Sequence, residues 1–148
     1  MHTQHDDNSC GPVALVNAYY YINNKFSPKT ITSLCIECQT DNVYGTRRWD
    51  IVKNKLIKLG KSTYNLNKIK NFQAFILLYS FDEDYAHYVF VVKTDIKFYT
   101  IYNYYDNETD TYCNIKMDDK EFNNLIRNNP KVHDLDYPLA WKINKHLL

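Results

Sequence analysis

Residues 10–22 read Cys-Gly-Pro-Val-Ala-Leu-Val-Asn-Ala-Tyr-Tyr-Tyr-Ile, and this stretch decides how the rest of the chain must be arranged. Apart from the tyrosines, Asn17 is the only polar side chain between Gly11 and Ile22, so no face of the segment suits water. A helix that is apolar all round is a buried helix. Pro12 belongs in its first turn, where the backbone N–H groups have no intrahelical partner and a missing donor costs nothing. The helix therefore begins at or beside Cys10, and the remaining chain must supply layers that enclose it.

The next signals are also helical. Ser27-Pro28 reads as an N-cap followed by Pro at the first helical position, opening a segment that runs through Ile31, Leu34 and Cys35 toward Cys38. Gly45-Thr46 and Gly60 frame a third helix, with Trp49, Val52, Leu56 and Leu59 at helical spacing. After Gly60 the pattern shortens, and strands are expected over 62–66, 74–79, 87–92 and 98–104. Asp118-Asp119-Lys120-Glu121 then opens a helix with Phe122, Leu125 and Ile126 inward and its acidic residues at the positive dipole end. Residues 140–143 close the sheet. Helices first and strands after, with no alternating crossover units, is the α+β signature: N-terminal helices packed on an antiparallel sheet.

Composition narrows the function classes. The 148 residues suffice for one domain, 1–148, with a real core. Lys and Arg number 18 against 17 Asp and Glu, so no basic surplus points to nucleic acid as a partner. The longest apolar runs, Ala74–Leu78 and Val89–Val92, are of strand length, short of the roughly 20 residues a membrane helix needs. The first residues, Met1-His2-Thr3-Gln4-His5-Asp6-Asp7, are polar and acidic, the reverse of a signal peptide, and a cytoplasmic location is expected. Four cysteines (Cys10, Cys35, Cys38 and Cys113) in such a chain read as thiols. Only 3 glycines and 16% aromatic residues argue against disorder.

A thiol becomes a nucleophile when its thiolate is stabilised, and a helix N-terminus offers unpaired N–H donors and a positive dipole end. Cys10 occupies that place. Gln4, six residues earlier, can loop back to donate to an oxyanion together with the Cys10 backbone N–H. Of the five histidines, His2 and His5 lie near the start and His133 and His146 in a polar tail; His87 opens the apolar strand His87-Tyr88-Val89-Phe90-Val91-Val92, where a polar ring needs a partner. If Lys93 pairs with Lys97 across a hairpin, His87 faces Asn103 on the next strand, close enough to be oriented by it. Asp106 requires a longer loop and stays open as the alternative. Cys35 and Cys38 form a Cys-x-x-Cys pair, but a zinc site takes about four ligands and no second pair completes it, and a redox dithiol sits at a strand-to-helix junction rather than a helix end, so they read as core and near-core thiols. No cofactor or metal is implied.

Gln4-x5-Cys10-Gly11-Pro12, His87-Tyr88-Val89 and Asn103 together resemble the papain-like bacteriocin-processing peptidase family. The similarity extends over Thr30–Leu34, Tyr44–Gly60 and Phe75–Val92. Where that family places an Asp, commonly followed by Pro, sixteen residues after the His, this chain has Asn103-Tyr104; Asn is what papain-like enzymes more broadly use. The resemblance implies a papain-like fold and a cysteine peptidase acting on a peptide or protein substrate. In it Cys10 attacks the carbonyl, His87 transfers the proton, Asn103 orients the imidazole and Gln4 holds the oxyanion. Family members often precede an export transporter and cut after paired glycines; that substrate is not implied here. Related acyl transfer (deamidation or transglutamination) on the same residues, and a binding or inhibitory module that keeps the papain-like fold without turnover, are the alternatives. Asp82, Glu83 and Asp84, just before His87, read first as a solvated acidic turn and otherwise as a loop that attracts basic peptides; carboxylates so near would favour a protonated His87.

Overall fold

The computed structural model describes residues 1–24, 26–63, 66, 69–71, 73–80, 86–127 and 139–143. The loop carrying Asp82, Glu83 and Asp84, most of 64–68, and His133 and His146 lie outside the described residues. Helix α1, Cys10–Ile22, is buried continuously from Cys10 to Tyr19, as its sequence demands. Helix α2, Ile31–Glu37, starts later than Ser27-Pro28 suggests. Thr30 is its cap: the Thr30 hydroxyl accepts from the Ser33 N–H at 3.0 Å and the Ser33 hydroxyl accepts from the Thr30 N–H at 3.0 Å. That reciprocal pair satisfies two end groups at once, which Ser27 cannot match.

A short hairpin follows, β1 (Thr40–Asp41) and β2 (Gly45–Thr46), too brief to show as alternation in the sequence. Helix α3 is Trp49–Leu59. Gly60 ends it for a reason other than a left-handed turn, since its φ is 173°. A β-carbon there would stand 1.4 Å from the Lys142 carbonyl oxygen, so the glycine is required by the close passage of another strand.

The main sheet comprises β3 (Ser62–Thr63), β4 (Ala74–Ser80), β5 (Ala86–Lys93), β6 (Phe98–Asp106), β7 (Thr111–Asp118) and β8 (Leu139–Lys142). Its order is β3-β8-β4-β5-β6-β7, with every pairing antiparallel. Helices α1–α3 cover one face, over Ile76, Leu78, Tyr88, Phe90 and Trp141. Helix α4, Asp119–Arg127, covers the other through Phe122, against Phe75, Leu77, Val91 and Tyr99. Burial on both faces explains why β4 reads Ala-Phe-Ile-Leu-Leu-Tyr-Ser without polar alternation. The observed class is mixed α and β, with helices on an antiparallel sheet. β7 is an edge strand whose sequence gave no strand signal, because among its residues only Met117 is buried. No helix among the described residues is long and apolar enough to cross a membrane.

Strand β6 carries the irregularity that builds the site. Ile101 pairs with Ile115 and Tyr104 with Cys113, so Tyr102 and Asn103 together oppose Asn114. This is a β-bulge, and beyond it the strand's faces exchange. Asn103 sits in the bulge at φ 72°, a backbone region that Asn tolerates better than other non-glycine residues.

Candidate active site

Cys10 occupies the first helical position of α1 and is 8% exposed. Burial pushes its thiol above the ordinary range. Backbone hydrogen bonds from Tyr88, Gly11 and Cys10 itself pull the other way, and the Asp6 carboxylate adds to the rise. The Tyr88 bond ties the sulfur to β5 at the residue following His87. Sequence reasoning expected the helix terminus to stabilise a thiolate; in this closed arrangement desolvation outweighs that influence.

His87 is 3% exposed and lies 5.6 Å from the ring of Tyr112 and 5.8 Å, edge-on, from the ring of Tyr79. Its Nε2 is 2.7 Å from the backbone oxygen of Asn103. A carbonyl can only accept, so Nε2 carries the hydrogen and Nδ1 is the basic atom of the neutral ring. Burial lowers the His87 pKa to about 4, and the Asn103 bond opposes the fall. At neutral pH the two groups therefore rest as thiol and imidazole.

The Asn103 side chain does not make the contact to His87. Its Oδ1 accepts from the Gln4 backbone N–H at 2.8 Å, and its Nδ2 donates to Gln4 Oε1 at 2.6 Å. The Asn103 N–H donates to Asn114 Oδ1 at 3.1 Å, so each polar group of this fully buried residue is engaged. Gln4 Nε2 donates to the Asp6 carbonyl at 2.6 Å, which commits one of its two hydrogens. The structure thus brings Gln4, Asn103 and His87 together, with the Cys10 sulfur bonded to the neighbouring Tyr88.

The expected hairpin register is corrected. Lys93 pairs with Tyr99 rather than Lys97, and Phe90 with Tyr102. Asp95 lengthens the loop by accepting from the N–H groups of Lys97 and Phe98 at 2.7 and 3.1 Å, while the Thr94 N–H donates to the Phe98 carbonyl at 3.0 Å. Continued regularly, that register puts Tyr105 opposite His87. The bulge interrupts it and presents the Asn103 carbonyl instead. Asp106 stands at the end of β6, where its carboxylate accepts from the Glu108 N–H at 3.0 Å.

Three contributors escaped the sequence reading. Asn17, the odd polar residue of α1, is fully buried; its Oδ1 accepts from the His2 N–H at 2.8 Å and its Nδ2 donates to the His2 carbonyl at 3.0 Å. It pins the N-terminal arm so that Gln4 reaches Asn103. A lone Asn in an apolar helix was the available signal. Tyr112 donates its hydroxyl to Asp7 at 3.0 Å and covers His87; burial, then that carboxylate, holds its phenol protonated. Asn114 supports the bulge. Cys38 is fully buried and Cys35 half-buried, each with its thiol raised first by burial. No three metal-ligating side chains gather among the described residues.

No protein-family model and no curated protein matches this chain.

Proposed function

We propose that the chain is a cysteine peptidase of papain-like fold, cleaving peptide or isopeptide bonds with Cys10, His87, Asn103 and Gln4. The observation that carries this reading is the tie between the Cys10 sulfur, at the start of α1, and the backbone beside His87, whose Nε2–H is committed to the Asn103 carbonyl. That commitment fixes the tautomer. Nδ1 takes the thiol proton as sulfur bonds to the carbonyl carbon, and returns it to the leaving amine as the C–N bond breaks. Water, deprotonated by the same nitrogen, then hydrolyses the thioester. The second hydrogen of Gln4 Nε2 and the Cys10 N–H stabilise the oxyanion. Asn103 acts as a positioning residue, through its carbonyl on His87 and its amide on Gln4.

The neutral, buried pair must change its surroundings before chemistry begins. Substrate replaces apolar neighbours by amide dipoles while the Asn103–Gln4 pair keeps its place, bringing the two pKa values toward each other. The same burial favours a second reading, a module that binds peptide without turnover. Labelling with a peptide carrying a carbonyl electrophile separates them. Modification is expected on Cys10 and should slow by about 10²-fold or more in His87→Ala, the usual contribution of a general base. Labelling of Cys10 no faster than Cys113, or unaffected by His87→Ala, rejects the peptidase.

A further inference from the structure

A cleft of about 390 Å³ opens between the N-terminal arm, α2 and the β1–β2 hairpin, within the size range of ligand pockets, roughly 300–1,000 Å³. Gln4 and Ser9 line it; Ser9 directly precedes Cys10, and Gln4 is held by Asn103, whose carbonyl takes the His87 Nε2–H. Its lining is graded. Val13 and Ile31 supply apolar surface, Asp6 and Asp41 supply carboxylates, and among the described residues no lysine or arginine contributes.

The two carboxylates are not equally engaged. One oxygen of Asp41 accepts from the Val43 and Tyr44 N–H groups, and the other lies 3.4 Å from Arg47. One oxygen of Asp6 accepts from the Asn8 N–H at 2.8 Å; the other has no partner among the described residues. The charge of Asp6 is felt across the cleft, where it adds to the rise that burial imposes on the Cys35 thiol. A long side chain with an alkyl stem and a cationic head matches apolar surface close to unneutralised carboxylate.

We infer that this cleft receives a lysine or arginine side chain of the substrate, from a residue next to the bond that Cys10 attacks. The assignment rests on the peptidase reading for what Cys10 does, but not for what the cleft binds.

Binding to the Cys10→Ala protein tests it without turnover. Short alanine-based peptides carry a single lysine, norleucine or glutamate, moved along the sequence; norleucine keeps the stem and removes the charge. At one position the lysine peptide should bind about two- to fivefold tighter than the norleucine peptide, and glutamate more weakly than either. Raised salt should shrink the difference. Adding Asp6→Asn and Asp41→Asn should abolish it with an unchanged melting curve, because Asn keeps the acceptor oxygen each turn uses. If the three peptides bind alike, if none binds, or if the preference survives both substitutions, the assignment is overturned. Turnover of the same peptides by the unaltered protein is scored separately: lysine-selective binding without cleavage or labelling of Cys10 rejects the peptidase and leaves the cleft assigned.

Discussion

The side-chain amide of Asn103 holds Gln4 at two points, accepting from its backbone N–H at 2.8 Å and donating to its Oε1 at 2.6 Å. One residue thereby serves two others, since its carbonyl takes the His87 Nε2–H at 2.7 Å. The proposed base and the proposed oxyanion donor are set by the same bulge, so a change there should disturb both.

Asn103→Ala leaves the buried Gln4 N–H unpaired and puts a less tolerant residue at positive φ. We expect a loss of about 2–4 kcal/mol, read from the urea midpoint, with peptide-probe labelling of Cys10 falling as well. Asn103→Gly should recover the backbone part of that loss and leave Gln4 unclamped. Asp106→Ala should stay within about 0.5 kcal/mol. A larger effect at Asp106 than at Asn103 would show that Asp106, not Asn103, supports the site.

His87 is neutral in the folded protein down to about pH 4, whereas the ordinary value is 6.5. On acidification the unfolded chain takes up this proton first, so the contribution is fully present above pH 6.5 and declines as pH falls toward 4. The loss amounts to roughly 3 kcal/mol. Urea unfolding near neutrality and at about pH 4 should show a steeper acid loss in the wild type than in His87→Gln. Equal losses would mean that the ring is not held neutral by burial.

The arm is pinned by Asn17 as well as by Asn103. Asn17→Ala orphans the N–H and carbonyl of His2, and the arm should release them to water. Cys10, shielded in the closed form, should then react faster with a small alkylating agent, while Cys113 keeps its rate. An unchanged Cys10 rate would show that the arm does not control access.

Gly60→Ala forces a β-carbon into the Lys142 carbonyl, which is backbone and cannot step aside. A destabilisation on the order of 3 kcal/mol is expected in denaturant unfolding. A change below about 0.5 kcal/mol would contradict the close passage of β8 over the end of α3.

What the sequence determined by itself is local. An apolar segment starting at Cys10 specifies a buried helix, Trp49 to Leu59 carries a helical stripe, and β4 to β6 are legible from apolar and aromatic runs, because each depends on neighbours a few residues away. The residues of the candidate site were legible for the same reason: a thiol at a helix start, a histidine opening an apolar strand, an Asn on the strand after it. Tertiary structure decided which atoms meet. The Gln4–Asn103 pair joins positions 99 residues apart. It exists because a bulge places two residues of β6 opposite Asn114 and turns one of them to positive φ. No local pattern encodes that extra residue, just as none marks the edge strand β7. The protonation of Cys10 and His87 is likewise a property of enclosure. Desolvation is the largest influence on each, and it follows from how arm, helix and sheet close together.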